Sequence, residues 1–250
     1  LDILNNFTIF ATNRKKQKIK IICRHQQFDA ANKIVERVLN GSPKKGLIWH
    51  FQGSGKSLLM LFAAQKLRLH PQLRSPTVIV VVDRIDLDTQ ITATFSASDI
   101  PNTIPVETKD ELEDLLKKDI RKIIITTIYK FAECQGVLNN RYNIILLVDE
   151  AHRTQEGDLG LKMRAALPNA FFFGLTGTPI NKRDRNTFSA FGAPEDDKGY
   201  LSRYSFEESI RDNATLPLHF EPRLVEIHIN QQAIDEEVAA ITDHLSEDEA

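Results

Sequence analysis

The chain has little of what builds a cystine scaffold or a zinc site. Its only cysteines are Cys23 and Cys134, far apart and outside any C-x-x-C spacing, so both architectures are excluded and a reducing, cytoplasmic setting is expected. The seven histidines do not cluster. No apolar run is long enough to cross a bilayer and no basic-then-apolar leader opens the chain, so a soluble protein with no membrane partner is expected. The first residue is Leu1, not methionine, as in a trimmed fragment. Strong charge is missing too: 32 Lys and Arg against 34 Asp and Glu leave a net charge of −2. That excludes a globally basic nucleic-acid binder, and phosphate-backbone contacts must come from a local patch or from backbone donors. Internal repeats and low-complexity tracts are also lacking. What is present is 42% hydrophobic content over 250 residues, enough core for one large domain or for one domain with appendages.

The most informative run is Trp49-His50-Phe51-Gln52-Gly53-Ser54-Gly55-Lys56-Ser57. A triphosphate needs several backbone N–H donors at close range, and Gly53 and Gly55 lack the side chains that would block that approach. Ser54 lies between them, Lys56 is placed to reach the β/γ-phosphates, and Ser57 supplies a hydroxyl for Mg²⁺. Leu58 to Leu69 continues as an apolar helix whose N-terminal dipole faces the phosphates. The full pattern G-x-x-x-x-G-K-[ST] would have glycine at His50, and this one departure means that a strict motif search misses the loop.

Five apolar runs read as buried strands: Leu47–Trp49, Thr77–Val82, Ile123–Ile125, Ile144–Val148 and Ala170–Leu175. Segments with helical spacing, such as Leu58–Leu69 and Asp110–Lys117, lie between them. This alternation predicts an α/β domain with a doubly wound parallel sheet. Ligands of such sheets bind at the carboxyl ends of strands, where the chain places Asp149 and Glu150, Thr126 and Thr127, the segment Asp83 to Gln90, and Thr176-Gly177-Thr178. Asp149 is then the metal ligand, through water, and Glu150 orients or deprotonates the attacking water.

Taken in order, Gln27, the glycine loop, Asp83 to Gln90, Thr126-Thr127, Asp149-Glu150-Ala151-His152 and Thr176-Gly177-Thr178 resemble the first motor domain of superfamily 2 helicases and translocases, over roughly residues 20 to 180. The resemblance implies a RecA-like P-loop NTPase fold, ATP and Mg²⁺ as cofactors, coupling of hydrolysis to movement through Thr176, Gly177 and Thr178, and DNA-backbone contacts at Arg84, Gln90, Thr126 and Thr127. His152 would link the metal site to the coupling segment. The Trp-His lead-in, Arg24-His25-Gln26-Gln27, Asp149 through Gln155, Phe191-Gly192 and Tyr204 through Asp212 are similar to the R (restriction) subunit of type I restriction-modification enzymes, which explains His50 as a family spelling. This resemblance implies ATP-driven translocation of double-stranded DNA within a complex of modification and specificity subunits, preceding cleavage by the intact enzyme. It also implies adenine contacts from Arg24 and Gln27, an amide being able to pair with the adenine edge in a bidentate way.

On this reading residues 1–20 are a lead-in from an upstream domain and 21–180 the motor domain. A loop and strands at 181–230 complete the lobe, including strands at Leu216–Phe220 and Leu224–Ile229, a peripheral β segment. An acidic helix at 231–250 leads toward a second lobe. Ile234, Val238, Ile241 and Leu245 form a packing stripe on it. The second lobe normally supplies an arginine worth about a thousandfold or more in rate, so the lone lobe is expected to hydrolyse ATP slowly. The basic clusters Arg14-Lys15-Lys16 with Lys18 and Lys20, and Lys182-Arg183 with Arg185, read as solvated faces. Glu107-Thr108-Lys109 has an E-x-K nuclease spelling but no paired upstream acidic strand, and carries no nuclease assignment.

Overall fold

The computed structural model describes residues 1–12, 16–82, 102–132, 134, 136–152, 159–181, 186–217, 221 and 234–238. The chain divides into a unit Leu1–Leu216 and a second unit Pro217–Ala250. The first unit is built on a parallel sheet of seven strands in the order β5-β6-β4-β7-β8-β3-β9. These are β3 (Lys45–His50), β4 (Thr77–Val82), β5 (Thr103–Pro105), β6 (Ile123–Thr127), β7 (Ile144–Val148), β8 (Phe171–Thr176) and β9 (Ser202–Tyr204). A separate antiparallel hairpin pairs β1 (Thr8–Thr12) with β2 (Lys18–Ile22).

The strands alternate between two cores. Ile48, Val78, Val80, Ile125, Leu147 and Phe173 face one apolar cluster, while Leu47, Ile79, Val81, Ile124, Leu146 and Phe172 face the other. Neighbouring residues therefore point to opposite, equally dry faces, which is why these runs are apolar without a polar alternation. Helices α2 (His25–Asn40) and α3 (Lys56–Leu69) cover the first face. In α2 the buried positions Gln27, Ala30, Ala31, Ile34, Val35 and Val38 repeat at helical spacing. In α3 the consecutive residues Leu59 to Ala64 are all buried, as expected of a helix wedged between the sheet and α2.

The fold departs from the sequence expectation at its margins. Within residues 1–20, expected as a lead-in from an upstream domain, Phe7 is fully buried and packs on Phe28 at 4.8 Å and Phe62 at 5.8 Å. The segment read as loop and strands from residue 181 contains a helix, Thr187–Phe191, started by the Asn186 side chain accepting from the Ser189 N–H. Glu107-Thr108-Lys109 is the start of a helix, with Thr108 capping Glu111 N–H. Leu216 and Pro217 are not in a strand; the rest of the expected strands Leu216–Phe220 and Leu224–Ile229 lies outside the described residues. In the second unit, residues 234–238 are helical, and Ile234 and Val238 of the expected packing stripe are exposed. Among the described residues no helix is long and apolar enough to cross a membrane.

Candidate nucleotide site

The glycine loop leaves the end of β3 and turns directly into α3. Gly55 caps α3 at φ +88°, a left-handed conformation, and a Cβ there would lie 2.4 Å from Gln27 Nε2. Both the turn and the neighbour therefore require glycine. Lys56 begins the helix, its Nζ 3.5 Å from the His50 carbonyl, a long contact that phosphate oxygens can replace. Ser54 is buried with its Oγ unpartnered, an orphan polar atom of the kind that a bound ligand satisfies.

His50 stands where the strict loop pattern has glycine, and its place in the fold explains the exchange. It is still part of β3, and its side chain is directed away from the loop into a buried contact, Nε2 to Ser202 Oγ at 3.1 Å. Burial, reinforced by the Lys56 charge, pushes its pKa down to about 3, so the imidazole is neutral.

Gln27 differs from the expectation. Its Nε2 donates to the Gly55 carbonyl at 2.9 Å and its Oε1 accepts from the Arg24 N–H at 2.8 Å. With the residue 2% exposed and both amide atoms engaged within the protein, Gln27 ties α2 to the phosphate loop. The neighbouring Gln26 lines an open cleft of about 500 Å³ with Arg24, His25, Tyr204, Asp212, Asn213 and Ala214, and Gln26 Nε2 is buried without a hydrogen-bond partner. Tyr204 donates its hydroxyl to Asp212 at 3.1 Å, and burial together with that carboxylate pushes the phenol pKa up. Arg24 and Gln26 line this cleft while Gln27 turns to the loop: on a helix, adjacent residues point about 100° apart, and sequence spacing alone does not say which one meets the loop.

The acids emerge from β7. Asp149 is buried and accepts from the Glu150 N–H at 3.0 Å. Glu150 has φ +44°, a strained setting for a non-glycine residue, and its carboxylate lies 3.3 Å from His152 Nδ1. The same nitrogen is 2.9 Å from Thr176 Oγ1, which also accepts from the Thr178 N–H at 3.1 Å. An adjacent carboxylate favours the proton on Nδ1.

Register brings the two halves together. β8 pairs with β7 on one side and β3 on the other, so the ends of β3 and β7 are two strand spacings apart, roughly 10 Å. Between them is the Thr176-Gly177-Thr178 turn. A Cβ on Gly177 would lie 3.4 Å from Lys56 Nζ and 3.3 Å from Gln52 N, so the turn rests against the phosphate loop while Thr176 touches His152. Among the described residues no group of three or more His, Cys, Asp or Glu could hold a metal by itself. Ser57 is in the first turn of α3 and Asp149 follows β7.

The expected DNA contacts fare differently. Thr126 and Thr127 are buried in β6, 0% and 3% exposed, and Thr126 Oγ1 finds no partner; neither hydroxyl faces outward to meet a nucleic acid. Arg84, Gln90 and the run Arg153 to Gln155 lie outside the described residues, as do Arg14, Lys15, Lys182, Arg183 and Arg185.

A phosphate loop after one strand, an acidic pair after another and a Thr-Gly-Thr turn between them agree with the family comparison, in which the SWI2/SNF2 ATPase model matches residues 26–250. The chain belongs to the SWI2/SNF2 ATPase family. The resemblance to type I restriction subunits also holds. The HindI type I restriction enzyme endonuclease subunit of Haemophilus influenzae is 37% identical over 275 residues, covering 100% of this chain and 25% of the relative. A Methanocaldococcus jannaschii protein assigned as the MjaIXP type I restriction enzyme endonuclease subunit is 38% identical over 244 residues, covering 92% of this chain and 23% of the relative. The chain thus spans about a quarter of the length of these curated relatives. Among solved structures, the SWI2/SNF2 ATPase core of Sulfolobus solfataricus in complex with dsDNA matches with a TM-score of 0.52 at 16% identity, over 74% of this chain and 36% of that one. This likeness concerns the fold, the helicase-type RecA-like layer of parallel strands and flanking helices.

Proposed function

We propose that this SWI2/SNF2 ATPase domain is the first motor lobe of an ATP-driven DNA translocase, the R subunit of a cytoplasmic type I restriction enzyme. It would work on double-stranded DNA with modification and specificity subunits, upstream of cleavage by the intact enzyme. The observation that carries this reading is the Thr176-Gly177 turn, which touches Lys56 on one side and His152 on the other. The phosphate-binding and water-activating halves therefore share one moving part.

Backbone N–H groups of the loop and the α3 dipole receive the phosphates, and Lys56 exchanges the His50 carbonyl for the β/γ-phosphate oxygens. Ser57 and Asp149 would hold Mg²⁺, which would supply neutralisation of phosphate charge and polarisation of the transferred phosphoryl group. Glu150, steadied by His152, orients the attacking water and takes its proton. Thr176 and Thr178 pass the presence or loss of the γ-phosphate to the rest of the lobe. The cleft of Arg24 and Gln26 receives the adenine. Arg84 and Gln90 are proposed for the DNA backbone, and residues beyond 230 lead toward a second lobe.

The test is DNA-stimulated ATP hydrolysis and translocation by the full-length protein with Lys56→Ala and Glu150→Gln. Each substitution is expected to lower turnover by roughly a hundredfold or more, as loss of a preorganised charge at the reacting centre does. Wild-type activity in both variants would refute the site.

A further inference from the structure

Trp49 is the one tryptophan in the chain, and the Thr-Gly-Thr turn, Tyr200 and the edge strand β9 meet on it. Its indole Nε1–H donates to the Gly177 carbonyl at 3.0 Å. The Arg203 guanidinium covers its ring at 4.9 Å, and the Tyr200 ring packs on it at 5.2 Å. In the sheet, Trp49 is in register with Thr176 of β8 on one side and Arg203 of β9 on the other. A phenyl ring would occupy the same stack, so the shape of the contact does not call for indole. What indole adds is the donor to Gly177, the residue whose backbone lies against Lys56 and Gln52.

The main-chain contacts around Trp49 point the same way. The Phe51 N–H donates to the Tyr204 carbonyl at 2.9 Å, and His50 reaches Ser202. β9 is thus fastened to the residues that lead into the phosphate loop, and Trp49 adds a fastening to the Thr-Gly-Thr turn. Lys56 Nζ lies 3.5 Å from the His50 carbonyl and beside Gly177, where a Cβ would be 3.4 Å from it, so an exchange of the carbonyl for a phosphate takes place against the residue whose carbonyl Trp49 holds. We infer that Trp49 is a positioning residue that transmits occupancy of the phosphate site through Gly177 to the edge strand β9 and Arg203. This rests on the ATPase reading above and extends it to a connection leading out of the site.

Fluorescence makes the connection observable. Mg·AMP-PNP and Mg·ADP are added to the full-length protein and to its Trp49→Phe variant, the difference between the two emissions reporting Trp49, while equilibrium dialysis follows nucleotide binding independently. Tryptophan emission is expected to shift with AMP-PNP and to shift less with ADP. In the ATPase assay, Trp49→Phe is expected to lower kcat about tenfold with KM within twofold, the split that separates positioning from nucleotide binding. Nucleotide that binds without moving the emission, or a Trp49→Phe variant with wild-type kcat, would overturn the inference while leaving the ATPase reading standing. Failure of either nucleotide to bind would overturn that reading, and the inference with it.

Discussion

Two halves of one sheet place polar residues at the ends of their strands with opposite results. At β3, β8 and β7 the ends carry a glycine loop, a Thr-Gly-Thr turn and an acidic pair. Their polar atoms are joined across strands, from Glu150 to His152 to Thr176, with Gly177 lying against Lys56. At β6 the end carries Thr126 and Thr127, and both are buried. Burial is not the difference, since Thr176 is as buried as Thr126; a hydroxyl at a strand end joins a site where it is bonded to a neighbouring element, as Thr176 is to His152, whereas Thr126 Oγ1 has no partner.

This contrast can be broken by experiment. The largest difference expected is between Lys56→Ala, which should lower ATP turnover roughly a hundredfold or more, and Thr127→Val, which should leave it within twofold; steady-state ATPase of both variants decides it. Next is acid sensitivity from the β3 end. His50 is lowered from 6.5 to about 3 on folding, so the unfolded chain takes the proton first. The stability that neutral His50 contributes is complete above pH 6.5 and is lost as pH falls toward 3, by roughly 2 kcal/mol between pH 6.5 and 5. Denaturation at the two pH values should show that loss in the wild type and a flatter dependence in His50→Gln. A smaller effect of the opposite sign is expected at β6: Thr126→Val removes a buried hydroxyl without a partner and should stabilise by about 1 kcal/mol. A loss of stability there would mean that the hydroxyl is satisfied after all. Smallest is Glu150→Gly, which relieves a positive φ and should hold or raise stability by up to about 1 kcal/mol while hydrolysis is lost; a clear drop in melting temperature would remove strain from the account.

Much of this was legible in the sequence. The runs Thr77–Val82 and Ile144–Val148 are strands to the residue, and Leu47–Trp49 extends to Lys45–His50 because Lys45 and Gly46 continue the ladder with Phe172 and Phe173. Long buried strands announce themselves because both faces are dry. β5 and β9 did not, since three residues carry no measurable period. The burial of Phe7 was equally hidden, because it depends on α2 and α3 and not on its own neighbours. At the candidate site, the positions of the glycine loop after β3 and of the acids after β7 followed from residue type and spacing. Gln27 did not, because its amide is taken up by the Gly55 carbonyl and the Arg24 N–H, contacts that exist only once β3 and α2 are packed together.

The central claim is convergence: the glycine-loop lysine and the carboxylates ending β7 surround one magnesium nucleotide. A crystal structure of the protein with Mg·AMP-PNP tests it most directly. The account predicts Lys56 Nζ on the β/γ-phosphates, with Ser57 Oγ and the Asp149 carboxylate around a single Mg²⁺. Nucleotide bound elsewhere, or Asp149 and Glu150 remote from its γ-phosphate, would contradict it.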